Sequence, residues 1–193
     1  MSHSLSNEEI IASTQLWLER AVIGLNLCPF AKGVHTKNLI RYVVSEARTT
    51  EELLRDLLNE YEILAESDAS KIDTTLLIHP YVLTDFLDYN DFLEVADTAL
   101  VEVDLDGESQ VASMHPNYQF AETEPDDITN YTNRSPYPTL HVLREASIEQ
   151  AVAAFPDAAK IFDHNIETMR RLGHEGWNQL GLGTTQSDKK SPE

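Results

Sequence analysis

A single cysteine, Cys28, stands in a chain of 193 residues, so no disulfide can close within it. No apolar run approaches the roughly 20 residues that span a bilayer. The opening MSHSLSNEE has neither the basic nor the apolar region of a secretory signal. Together these absences point to the cytoplasm. Basic residues are scarce as well, 14 Lys and Arg against 33 Asp and Glu, for a net charge of −19. That field opposes nucleic acid and anionic membrane, because both require a cationic footprint. An anionic ligand would have to meet a local arginine cluster. The plain meaning of the acidity is a solvated, soluble surface.

Signature motifs are missing too. There is no Walker loop, no GxGxxG, no GxSxG, no HExxH and no CxxC. The usual nucleotide-binding and α/β-hydrolase readings lose their support, and the cofactor is unknown. No repeat, low-complexity tract or domain linker interrupts the chain. With 41% apolar and 24% charged residues, the expectation is one globular domain over residues 6–175. Residues 176–193 have little to bury and read as a flexible tail.

Periodicity supplies the elements. Ser6 and Glu9 form a capping box ahead of an amphipathic helix that Pro29 stops. Gly33 and His35 fall in the loop beyond it. Leu39–Ser45 reads as the first strand, and Thr49 with Glu52 caps a second helix reaching Glu66. Thr74–His79 is a short apolar run suited to a central strand. A helix starting near Asp85 or Asn90 runs past Val103, with Gly107 as its C′ residue, in preference to a strand over Val101–Leu105. Gln110–His115 is the third strand, a long loop spans Pro116–Pro136, and Thr139–Leu143 is the fourth. Ser147 and Gln150 suggest another capping box, Pro156 a break, and Gly173 the end of the last helix. Helical crossovers make the first three strands parallel, and the fourth, reached without a helix, antiparallel. The expected fold is a compact α/β or α+β single-domain sandwich of about four mixed strands covered by helices.

The densest polar stretch is NYTNRSPYPTLHVLRE, Asn130–Glu145, with Asn133, Arg134, Ser135, His141 and two prolines to stiffen it. It reads as a rigid polar loop running into a buried strand. Two echoes flank it: Ile78-His79-Pro80 ends one strand and Met114-His115-Pro116 another. Parallel strands would set both histidines at the sheet edge where open α/β sheets bind ligands, with the Asn-Arg-Ser loop nearby. His79 and His115 then become candidate general acid and base, while Asn133, Arg134, Ser135 and His141 are candidate ligand-binding residues. Each His-Pro can equally end a strand with its imidazole capping a carbonyl. Cys28 is an outside candidate for a nucleophile, through backbone N–H groups of the turn PFAKG, or else a small buried hydrophobe. His79, His115 and His141, with Cys28, could also ligate a metal, although no tight signature supports it. Arg144 reads as the partner of Glu145 or of a helix carboxylate.

The segments NLCPFAKG, IHPYVLTDFLDYNDFLEVAD, QVASMHPNYQFAET and TNRSPYPTLHVLREASIEQAV resemble an uncharacterised bacterial family known only as a domain of unknown function. The resemblance runs from about Ser6 to Leu172. It implies one intact domain and carries over no activity, cofactor or site residue. The residues themselves suggest an enzyme acting on a small polar or anionic metabolite. A non-catalytic metabolite-binding or regulatory domain and a histidine-ligated metal protein are the alternatives. Substrate, cofactor and oligomeric state stay open at this level.

Overall fold

The computed structural model describes residues 5–155 and 157–182. Four strands form one mixed sheet: β1 (Ile40–Val44), β2 (Thr74–Ile78), β3 (Ser109–Met114) and β4 (Thr139–Arg144), in the spatial order β1-β2-β4-β3. β1 and β2 are parallel, and β4 runs antiparallel to both β2 and β3. β1, β2 and β3 therefore share one direction, and β4 fills the slot between β2 and β3. Thr139 faces Ile78 on one side and Met114 on the other, so the ends of β2 and β3 lie at the same edge.

The strands carry different side chains to the two faces because alternate residues point in opposite directions. One face receives α3 (Thr50–Glu66) and α4 (Phe86–Glu102), with Leu53, Leu57, Tyr61, Phe92 and Ala96 packed on Leu77, Leu140 and Val142. The other receives α1 (Asn7–Trp17), a π-helical turn over Leu18–Ile23, the short α2 (Ala31–Thr36) and the last helix α6 (Ile161–Gln179). Here Trp17, Ala21 and Val22 pack with Ile40, Tyr42 and Met114, and Ile10 packs with Ile78 and Tyr137. Each fully buried Leu or Ile contributes about 1.5–3 kcal/mol relative to exposure. Arg41 binds the buried carboxylate of Glu60 through Nε at 2.7 Å and Nη2 at 3.1 Å, so this charge is paired inside the first layer.

The capping boxes at Ser6/Glu9 and Thr49/Glu52 both form. Other expectations are corrected. The first helix turns π-helical at Leu18, and Ala31–Thr36 is helical rather than loop. α4 ends at Glu102, Asp104 takes the left-handed conformation (φ 57°), and Gly107 (φ 79°) serves the turn into β3 instead of the helix end. α5 (Glu145–Ala154) starts directly after β4, so Ser147 is no N-cap; its hydroxyl donates to Asp73 at 2.5 Å. Among the described residues Arg144 pairs with no carboxylate, and it donates to the carbonyls of Ser67 and Ile72. Pro156 lies outside the described residues.

Gly173 (φ 65°, ψ 176°) breaks α6 without ending it. The chain beyond it stays packed: Trp177 meets the Tyr131 ring at 5.2 Å, and Leu180 and Leu182 join the Trp17 cluster. The expected tail therefore does not begin at 176, and its part over 183–193 lies outside the described residues. No helix among the described residues is long and apolar enough to cross a membrane.

Candidate functional site

His79 and His115 follow β2 and β3 directly, and both imidazoles lie on the α4 side of the shared edge. Tyr89 of α4 sits against both, with ring centroids 5.8 Å from His79 and 5.0 Å from His115. Its hydroxyl donates to the Thr139 carbonyl (2.7 Å) and accepts from the Met114 N–H (2.9 Å), which ties α4 to β4 and β3. Both histidines are fully buried. His79 Nδ1 donates to the Val82 carbonyl at 3.0 Å, and His115 Nε2 donates to that of Leu83 at 3.1 Å. A carbonyl can only accept, so these bonds fix the tautomers. His115 Nδ1 then accepts from Asn117 N–H at 3.0 Å, which commits both its nitrogens. His79 Nε2 is buried without a partner among the described residues. Burial holds both pKa values near 4, so both rings are neutral at pH 7. The edge brings the two together as expected, and each caps a carbonyl of the loop between β2 and α4.

The polar loop is tied to itself. The Asn130 carboxamide, fully buried, accepts from Phe120 N–H and the Thr123 hydroxyl and donates to the Glu124 carbonyl. Asn133 Nδ2 donates to Ser113 O at 3.3 Å. Arg134 donates through Nε to Tyr118 O and through Nη2 to Pro125 O, with its guanidinium 4.3 Å from the Tyr131 ring centroid. The buried Ser135 hydroxyl donates to Tyr137 O at 2.6 Å. These bonds account for the polar density: the loop 116–136 carries only a short 3₁₀ turn over Ile128–Asn133, and side chains hold the rest in place.

His141 lies elsewhere. Alternation along β4 sets Leu140 and Val142 toward α3 and α4, and His141 on the opposite face. It is half-buried. The Thr74 hydroxyl donates to Val142 O at 2.7 Å, so its oxygen accepts from His141 Nε2–H, also at 2.7 Å. His141 is thereby fixed with Nδ1 as its acceptor, and Nδ1 has no partner among the described residues. Burial lowers its pKa to about 4. The sequence marks Thr74 only as the start of an apolar strand. The one signal for it is a threonine in the same alternation set as Leu76 and Ile78, and joining it to His141 requires the register.

Cys28 belongs to the cluster on that same face, with Ile40, Tyr42, Met114 and Trp177. The backbone N–H groups of Phe30 and Ala31 act to lower its pKa, but burial dominates and raises it. The preceding peptide is held by Asn165 of α6, whose Nδ2 donates to Leu27 O at 2.9 Å. Asn165 Oδ1, Thr168 Oγ1 and the Tyr42 hydroxyl are buried without partners among the described residues. Burial pushes the Tyr42 hydroxyl up to about 12. Tyr42 and His141 both face Leu76 in register, two strand spacings apart, or roughly 10 Å. The sheet separates His141 from His79 and His115. Among the described residues, no group of three His, Cys, Asp or Glu side chains is placed to hold a metal ion.

The fold is a single-sheet α/β domain whose two faces hold these two histidine environments. A family described as a protein of unknown function (DUF1415) matches residues 9–179, and the chain belongs to it. Comparison with curated proteins and with solved structures returns no match.

Proposed function

We propose that the protein is a cytoplasmic enzyme acting on a small polar metabolite, with His141 as the imidazole that takes up and returns a proton. The observation carrying this reading is the chain from Val142 O through Thr74 to His141, which leaves an oriented Nδ1 lone pair uncommitted on a half-buried face. A base oriented by a second group is the arrangement that general-base chemistry uses. Its pKa near 4 makes the ring neutral, and so an acceptor, at pH 7. A polar ligand is favoured over an anionic one, because Arg134 and Arg144 already spend guanidinium N–H groups on carbonyls. His79, His115, Asn133 and Ser135 enter this proposal as supports of the edge and loop. Cys28 enters as a free thiol packed on the same face of the sheet, in a reducing compartment.

A thermal-shift panel of small polar metabolites on wild type and His141→Ala tests it, followed by NMR assay of any ligand for turnover. Hits should stabilise wild type, lose that effect in His141→Ala, and be turned over about 10²-fold or more slowly by the variant. Ligands that bind both proteins equally would remove His141 from the site. Binding without turnover would favour the non-catalytic metabolite-binding domain.

A further inference from the structure

A second concavity lies at the other end of the sheet from His79 and His115. It is a groove of about 650 Å³ between the later turns of α4, the turn into β3 and the start of α5. That volume is in the range of small-molecule sites. We propose that it binds an aliphatic polyamine. Glu94 and Asp97 of α4 line it together with Asp106 and Glu145, and no Lys, Arg or His does. These carboxylates do not gather around a point, since no three acidic or ligating groups among the described residues could hold one metal ion. An extended cation with separated charges matches that spread, and a compact divalent ion does not. The 58% exposed Val101 lines the same groove and offers apolar surface to methylene spacers.

The independent sign of a ligand is Ser109. It is 6% exposed and lines the groove. Strand alternation sets it with Val111 on the α4 face. Its hydroxyl makes no hydrogen bond among the described residues. An ammonium group in the groove would supply the missing donor.

Calorimetric titration of the full chain with spermidine at fixed ionic strength tests the proposal. One saturable site is expected. Ser109→Ala, which leaves every charge in place, should weaken it about tenfold, the scale of a hydrogen bond to a charged group. Asp97→Asn with Asp106→Asn should weaken it at least as much, while Glu62→Gln with Glu66→Gln, exposed on α3, should leave it unchanged. Magnesium at matched ionic strength should not displace spermidine. Binding that ignores Ser109→Ala, falls equally with the α3 pair, or yields to magnesium would reduce the effect to diffuse attraction and overturn the proposal. A lysine-rich peptide that saturates the groove where spermidine does not would also overturn it. Circular dichroism melts confirm that each variant is folded, and the carboxamide pair tests the groove independently of the buried serine.

Discussion

His79 and His141 show how one side chain acquires two meanings. Burial pulls both pKa values to about 4, and one nitrogen of each is fixed by a neighbour. The difference is access: the free nitrogen of His79 is sealed among rings, whereas His141 is half-buried. Cys28 can be judged the same way. It is half-buried, and burial raises its pKa although the neighbouring N–H groups of Phe30 and Ala31 act to lower it. A serine hydroxyl at a half-buried position is not sealed from water. Cys28→Ser should therefore cost only about 1 kcal/mol in urea unfolding. The wild-type thiol should alkylate slowly near pH 7, and any turnover should persist in the variant. Rapid alkylation at neutral pH, with activity lost in a folded Cys28→Ser protein, would make the thiol a nucleophile after all.

Helix ends and breaks are the features at which element-level reasoning succeeds or fails here. Gly173 holds φ 65° and ψ 176°, a region closed to other residues without strain, although a Cβ there would meet nothing within 4 Å. Gly33 sits in α2 with equally open surroundings and an ordinary φ. Gly173→Ala should then destabilise by about 1–3 kcal/mol and loosen the Trp177 contact with Tyr131, read as a change in tryptophan fluorescence. Gly33→Ala should be neutral or stabilising by up to about 1 kcal/mol. Equal effects of the two substitutions would remove the backbone argument. What was legible in the sequence was local or periodic. The Ser6/Glu9 and Thr49/Glu52 boxes could be read because both partners lie within one turn. The helical crossovers gave β2 and β3 one direction and so put His79 and His115 at one edge, and the missing crossover made β4 antiparallel. The partners of Asn130, Arg134 and Ser135 were not legible, because a sequence shows how many donors a loop has and not whether they turn inward. Ser147 misled for a related reason: β4 runs straight into α5, so no free first turn awaited a cap. The Thr74–His141 contact joins residues 67 apart and exists only through register.

For the molecule as a whole, the three sheet histidines dominate the response to mild acid. Each has a folded pKa near 4 against an ordinary value of 6.5, so the unfolded chain takes up their protons first. The sign follows from linkage: stability rises with pH wherever the unfolded state binds more protons. Their contribution is complete above pH 6.5, is lost as pH falls toward 4, and changes by at most about 1.4 kcal/mol per pH unit for each ring. The net charge of −19 acts in the opposite sense, since protonating carboxylates nearer pH 4 relieves repulsion. The interval from pH 5 to 6.5 therefore isolates the histidines. Urea unfolding across it should show stability falling steeply toward pH 5. Replacing His141 with Asn should flatten that slope by about 1 kcal/mol per pH unit whatever it does to stability at pH 7. A flat profile in wild type would mean that these rings accept protons in the folded state, and that the sheet is far more open around them than its packing indicates.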